Sequence, residues 1–121
     1  MAVANGTAAV SVLQPMFLKP THDELFLHFK TIAGSIPDTP VLLYNNPGRI
    51  GYTLTTPLVD ELAHQMPNIV GMKDTSGDIT LTEEFIRRTR DVGVPYRPSL
   101  PTPAGAARDG FVRTMTAAGL L

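Results

Sequence analysis

The sequence predicts an α/β fold with a parallel sheet, and two features of its 121 residues support this prediction. Three short apolar runs recur along the first 93 residues, and each is followed by a segment with the apolar spacing of an amphipathic helix. The runs are continuously apolar rather than alternating, which is typical of strands in a parallel sheet covered by helices. Strands that alternate with helices along a chain pair in parallel.

Each predicted helix has a recognisable start. The first strand is predicted over residues 8–13, and its helix opens with a capping box at residues 21–24. The second strand covers residues 41–44, and its helix begins at Thr56-Pro57, a cap followed by proline. The third strand covers residues 69–73, with a helix that opens near Thr80 and stops at Gly93. The residues expected to face the sheet are Leu25, Phe29, Ile32 and Ala33, then Leu58, Leu62 and Met66, then Phe85 and Ile86.

The character of the chain changes after Gly93. Residues 94–103 contain four prolines and are predicted to form a linker or an extended stretch, with no fourth strand. A last helix is predicted over roughly residues 104–118, with Phe111, Val112 and Met115 on its apolar face. The expected organisation is an α/β unit of residues 1–93, a linker of residues 94–103 and a C-terminal helical segment of residues 104–121.

Composition excludes several classes of function. A net charge of −1 gives no field that would attract nucleic acid or an anionic membrane. The basic cluster of Arg87, Arg88 and Arg90 lies beside acidic residues, as on a solvated helix face. The chain has no cysteine, and its three histidines lack metal-ligand spacing, so neither a metal nor a cofactor is expected. No signal peptide or spanning segment is recognisable, and the cytoplasm is the expected location.

The candidate site lies where two predicted strands end. Lys73 ends the third strand, where a lysine amine that loses hydration is more readily deprotonated and can attack a carbonyl carbon to form an imine. Tyr44 ends the second strand, and Arg49 follows in the next loop. Parallel strands present their carboxyl ends at one edge of the sheet, so the three side chains are expected to lie on the same side. There, Tyr44 could shuttle a proton and Arg49 could bind a carboxylate. Considered alone, Lys73 could equally be a lysine whose charged end reaches into water, and Tyr44 could be a packing residue.

Two motifs together carry a family resemblance. Tyr44-Asn45-Asn46-Pro47-Gly48-Arg49, followed by the run from Ile69 to Asp78, closely resembles the dihydrodipicolinate synthase / N-acetylneuraminate lyase family. Members are (β/α)8 barrels that bind pyruvate or a related 2-oxo acid as a Schiff base. The resemblance covers residues 6–93, and the C-terminal residues look like the end of the family's chains. It implies a partial TIM barrel of three parallel βα units, the family's fourth to sixth, plus a C-terminal helix.

The resemblance also implies roles for the site residues. Lys73 corresponds to the imine-forming lysine, Tyr44 to the proton-shuttling tyrosine, and Arg49 to a residue that binds the acceptor's carboxylate. Two features depart from the family. The glycine-rich loop with paired threonines, which holds the pyruvate carboxylate, has no counterpart, and Met16-Phe17 replaces a pair with tyrosine hydroxyls.

Two functions therefore stay open. The first is a Schiff-base lyase that performs aldol addition or cleavage with pyruvate or another 2-oxo acid, within a homo-oligomer whose other chains supply the missing strands. The second is a catalytically inactive, truncated family member that serves as an interaction module or has no independent function. The resemblance does not distinguish dihydrodipicolinate synthesis from another member's activity. A nucleotide-binding module is disfavoured, because no strand is followed by a glycine-rich phosphate loop.

Overall fold

The computed structural model describes residues 6–92 and 96–98, and single residues from 113 to 119. The strands form one parallel sheet in the order β1-β2-β3-β4. In chain order the elements are β1 Val10–Leu13, α1 His22–Ser35, β2 Val41–Asn45, α2 Pro47–Ile50, α3 Thr56–Gln65, β3 Ile69–Asp74, α4 Ile79–Arg88 and β4 Tyr96–Pro98. The predicted α/β class and the three parallel βα units are confirmed.

The fourth strand corrects the prediction that no strand follows Gly93. Strand β4 pairs with β3 in parallel, with Met72 opposite Tyr96 and Asp74 opposite Pro98. Proline has no backbone N–H to donate, so it is tolerated only where a strand is short or at a sheet edge. The proline density indicated a linker, yet three residues are enough for a short strand at this edge. The rest of the predicted linker lies outside the described residues.

Helices α3 and α4 begin at Thr56 and Ile79, at or next to their predicted starts, but the N-cap of α3 differs from the predicted one. Thr55, not Thr56, is the N-cap of α3, and the Thr56 hydroxyl instead donates to the Glu84 carboxylate at 3.0 Å. Helix α4 is capped by Asp78, whose carboxylate accepts from two backbone N–H groups of the first turn. This helix ends at Arg88, before the expected Gly93. The capping box at Thr21 and Glu24 is present as predicted.

The helices cover one face of the sheet and form the core with it. Most residues predicted to face the sheet are buried, while Ile32, Met66 and Ile86 are only partly so. The opposite face has no helix over it in the described part of the chain, and Leu13 and Leu42 are half-buried there. The buried core consists of Val12, Leu25, Phe29, Ala33, Val41, Leu43, Leu54, Leu58, Val59, Leu62, Ile69, Met72 and Phe85.

An irregularity in β3 changes which residues share a face. Val41 pairs with Ile69, but the next residue, Leu42, pairs with Gly71, so Val70 is an extra residue in the ladder. Strict alternation along the sequence places Ile69 on the same face as Lys73. The register shift instead places Ile69 in the core with Val41, and leaves Gly71 and Lys73 on the opposite face.

The C-terminal segment is described in part. Residues 113–114 and 116–117 have helical backbone, and Arg90 Nη2 donates to the Gly119 carbonyl at 2.7 Å. The predicted apolar face of Phe111, Val112 and Met115 lies outside the described residues. Of the helices that the structure describes, none has the length and apolar character needed to cross a bilayer.

A histidine links α3 to the segment after α4 and predicts a pH dependence of stability. His64 Nδ1 lies 2.8 Å from the Asp60 carbonyl and Nε2 lies 3.1 Å from the Asp91 carboxylate. The Asp60 carbonyl, and then Asp91, raise the pKa of His64 above its ordinary 6.5. This contribution to stability is fully present below the unfolded-state pKa and is lost as the pH rises through the higher folded-state pKa.

We therefore expect thermal stability to fall as the pH rises above 6.5 and through the raised folded-state pKa of His64, and a His64→Gln variant to show a flatter profile. Differential scanning calorimetry across this range measures both profiles. Parallel profiles for the two proteins would show that His64 does not carry the dependence.

Candidate active site

Tyr44 and Lys73 are direct neighbours across two strands. Their Cα atoms are partners in the β2–β3 ladder, one residue before each strand ends. Lys73 Nζ lies over the Tyr44 ring, 4.1 Å from its centroid, and both side chains are half-buried. The structure therefore brings together two of the three residues singled out from the sequence. An ammonium over a phenol ring is a cation–π contact that also holds the amine beside the hydroxyl.

The Tyr44 hydroxyl lies among donors. Asn46 Nδ2 donates to it at 2.9 Å. The Lys73 ammonium chiefly, with smaller effects of the Thr75 and Asn46 side chains, lowers the pKa of Tyr44 below its ordinary value, while partial burial opposes the shift. A phenol with a lowered pKa gives up its proton more readily near neutral pH, as a proton-transfer group requires.

A buried polar network holds the two strand ends together on the helix-covered face. Asn45, fully buried, donates to the Asp74 carboxylate at 2.9 Å and accepts from the Leu54 backbone N–H at 2.9 Å. Asp74 also accepts from the Thr82 hydroxyl at 2.8 Å and from the Ser76 hydroxyl at 2.9 Å. Hydrogen-bond partners within the protein take the place of water around these polar groups. The network therefore constrains the backbone that carries Tyr44 and Lys73.

Sequence reasoning did not identify this network. Asn45 and Asp74 follow Tyr44 and Lys73 directly, just beyond the predicted ends of the second and third strands. The usable signal is the alternation of a strand: if Tyr44 and Lys73 point to one face, the next residue in each strand points to the other, toward the helices. A polar residue there needs buried partners.

Arg49 lies apart from this pair. It belongs to the four-residue helix α2, and its side chain is exposed. Among the described residues it forms no ion pair. Its backbone N–H donates to the Asn46 carbonyl at 3.1 Å, which fixes the turn but not the guanidinium. An exposed guanidinium that has no ion-pair partner in the described part of the chain is available to an anion from solution.

The segment after β1 presents apolar side chains where the resemblance expects hydroxyls. Met16 is 48% exposed and Phe17 is 97% exposed. Phe17 also has a φ of 69°, which is uncommon for a residue with a Cβ. Neither side chain can relay a proton.

The comparisons with known sequences agree on one family. The sequence model of the dihydrodipicolinate synthetase family matches residues 1–96. The 4-hydroxy-tetrahydrodipicolinate synthase of Methanoculleus marisnigri is 44% identical over 86 residues, which cover 71% of this chain and 28% of that enzyme. The chain thus spans little more than a quarter of the length of this curated relative.

Solved structures give the same result. Dihydrodipicolinate synthase from Thermotoga maritima superposes with a TM-score of 0.79 at 25% identity, over 98% of this chain and 38% of that one. The chloride-inhibited enzyme from Acinetobacter baumannii, complexed with pyruvate, gives a TM-score of 0.73 at 34% identity, over 80% of this chain and 32% of that one. The four-stranded sheet and its helices therefore match part of the fold of these larger proteins.

Proposed function

Because the chain belongs to the dihydrodipicolinate synthetase family, we propose that it forms a Schiff base between Lys73 and a 2-oxo acid, for aldol addition or cleavage. The observation that carries this proposal is the position of Lys73 Nζ over the Tyr44 ring, 4.1 Å from the centroid, at the carboxyl ends of two parallel strands. Ligands of parallel α/β sheets bind at that edge.

The proposed chemistry assigns each proton. The neutral Lys73 amine attacks the keto carbon, and the carbonyl oxygen takes up a proton to give a carbinolamine. The nitrogen loses a proton, and the hydroxyl group leaves as water after a second protonation, which gives a protonated imine. Tyr44 is the group that donates and takes back these protons, since its hydroxyl lies beside the amine and its pKa is lowered chiefly by Lys73.

Pyruvate is the 2-oxo acid that we propose. The Acinetobacter baumannii neighbour is complexed with pyruvate, and 80% of this chain superposes on it. We assign Arg49 to the carboxylate of the acceptor, because its exposed guanidinium offers two parallel donors to a carboxylate. No metal or cofactor takes part in this scheme.

A complete site would need more strands than the described sheet contains. The face that carries Tyr44 and Lys73 has no helix over it in the described residues, and Leu13 and Leu42 are only half-buried there. Burying half-exposed apolar side chains favours association. We therefore propose that the active form is a homo-oligomer in which other chains cover this face.

Reductive trapping tests the proposed function. The folded protein is incubated with pyruvate and borohydride and weighed by intact-mass spectrometry. We expect one adduct of a reduced pyruvate unit, which disappears in Lys73→Ala. The matched control is Lys30→Ala, because Lys30 Nζ also lies over an aromatic ring, that of Phe26, at 5.2 Å, but on helix α1. An adduct that survives in Lys73→Ala, or none in the folded parent protein, would refute the assignment.

A further inference from the structure

We propose that Asn46, fixed in place by Gln14, is a positioning residue that orients the Tyr44 hydroxyl and stabilises its phenolate form. Asn46 Nδ2 donates to the Tyr44 hydroxyl oxygen at 2.9 Å. The catalytic consequence of this contact rests on the function proposed above. Its effect on the titration of Tyr44 does not, and can be measured without any substrate.

The Asn46 side chain contacts Tyr44 rather than the start of helix α2, which an asparagine at this position commonly caps. Asn46 is the N-cap residue of α2, where an asparagine side chain commonly accepts from backbone N–H groups of the first turn. Here it makes no such capping bond. Only its backbone carbonyl serves the turn, by accepting from the N–H groups of Arg49 and Ile50 at 3.1 and 3.0 Å. The amide side chain is directed at Tyr44 instead.

A buried glutamine anchors the backbone that carries the Asn46 side chain. Gln14 is 2% exposed, and its Oε1 accepts from the Asn46 backbone N–H at 2.9 Å. Its Nε2 donates to the Tyr52 carbonyl at 3.1 Å, so one side chain joins the end of β1 to both ends of the 46–52 loop. A side chain that satisfies both of its polar atoms while buried has a single orientation. Asn46 is therefore placed by a rigid support rather than by the loop alone.

The groups around the hydroxyl define what Asn46 contributes. Lys73 and Thr75 face it from the β3 side, Asn46 from its own loop, and the β1 residue in register with Tyr44 is the apolar Leu13. An amide N–H donates to a phenolate but has no proton to give up at ordinary pH. Asn46 thus favours the deprotonated form and leaves proton exchange to Tyr44 and its partners.

The test is a tyrosinate absorbance titration of the full chain, with Tyr44→Phe used to assign the Tyr44 component among the three tyrosines. We expect Asn46→Ala to raise the Tyr44 titration midpoint. Asn46→Asp should raise it further, on the order of one pH unit in all, because a carboxylate replaces the donor at constant size. Gln65→Glu adds the same charge at the far end of α3 and should leave the midpoint unchanged.

Asp is as good an N-cap as Asn, so Asn46→Asp keeps the capping capacity of the position while it reverses the interaction with Tyr44. A midpoint that moves in neither variant, or equally in Gln65→Glu, would overturn the inference, whether or not pyruvate is trapped. Where trapping occurs, the pH profile of its rate should shift as the titration midpoint does, more in Asn46→Asp than in Asn46→Ala. If trapping fails but the midpoint moves as expected, the positioning role holds and only the proposed function is lost.

Discussion

Replacing Tyr44 by phenylalanine should slow the trapping of pyruvate on Lys73 by roughly 100-fold or more, the usual contribution of a general acid–base group. The substitution removes the hydroxyl but keeps the ring face over which Lys73 Nζ lies at 4.1 Å. The amine should therefore stay in place, and the loss should appear in the rate of adduct formation rather than in its final extent. Quenched-flow sampling followed by mass spectrometry measures this rate.

The matched control is Tyr52→Phe. The Tyr52 hydroxyl donates to the Pro15 carbonyl at 2.9 Å, which is a structural bond on a neighbouring loop. Its loss should cost about 1 kcal/mol of stability and leave the trapping rate close to that of the parent protein. Equal rates in Tyr44→Phe and the parent protein would show that no proton passes through the Tyr44 hydroxyl.

The largest expected effect on stability comes from Leu62→Ala, which should lower the free energy of unfolding by about 2–5 kcal/mol. Leu62 is fully buried in α3, and α3 packs against α1, α4 and β3. Truncating this side chain leaves a cavity that the two helices and the strand around α3 cannot easily fill. Because domains of this size are stable by only about 5–15 kcal/mol, the variant should unfold at a clearly lower urea concentration.

The control for Leu62→Ala is Leu27→Ala, the same substitution at an exposed position. Leu27 is 63% exposed on α1, so its truncation should change stability by about 0.5 kcal/mol or less. Equal shifts in the urea midpoints of the two variants would mean that the core does not lie between the sheet and α3.

The βα alternation could be predicted because its signals are local. The capping box at Thr21, the proline that opens α3 and the apolar spacing of each helix depend only on residues within a few turns. The proximity of Tyr44 and Lys73 could also be predicted, since parallel strands that follow one another in sequence are usually neighbours. Both parts of the prediction needed no knowledge of side-chain contacts.

The features that were not predicted depend on contacts between distant segments. The register shift that moves Ile69 into the core is a property of its pairing with β2, not of the β3 sequence. The hydrogen bond between Asn45 and Asp74 joins residues 29 positions apart, and Gln14 reaches Asn46 across 32. Strand β4 was missed because Pro98 is unfavourable in a central strand but acceptable at an edge.

The most direct test of the central claim, that Lys73 is the imine-forming amine, is peptide mapping of the pyruvate-trapped protein. Trypsin cannot cleave after a reduced adduct of Lys73, so labelling should join the two flanking peptides into one that spans residues 50–87. We expect the label to lie on this peptide, in proportion to the adduct seen in the intact protein. A label shared evenly among Lys19, Lys30 and Lys73 would contradict the claim, since it would indicate three ordinary surface amines.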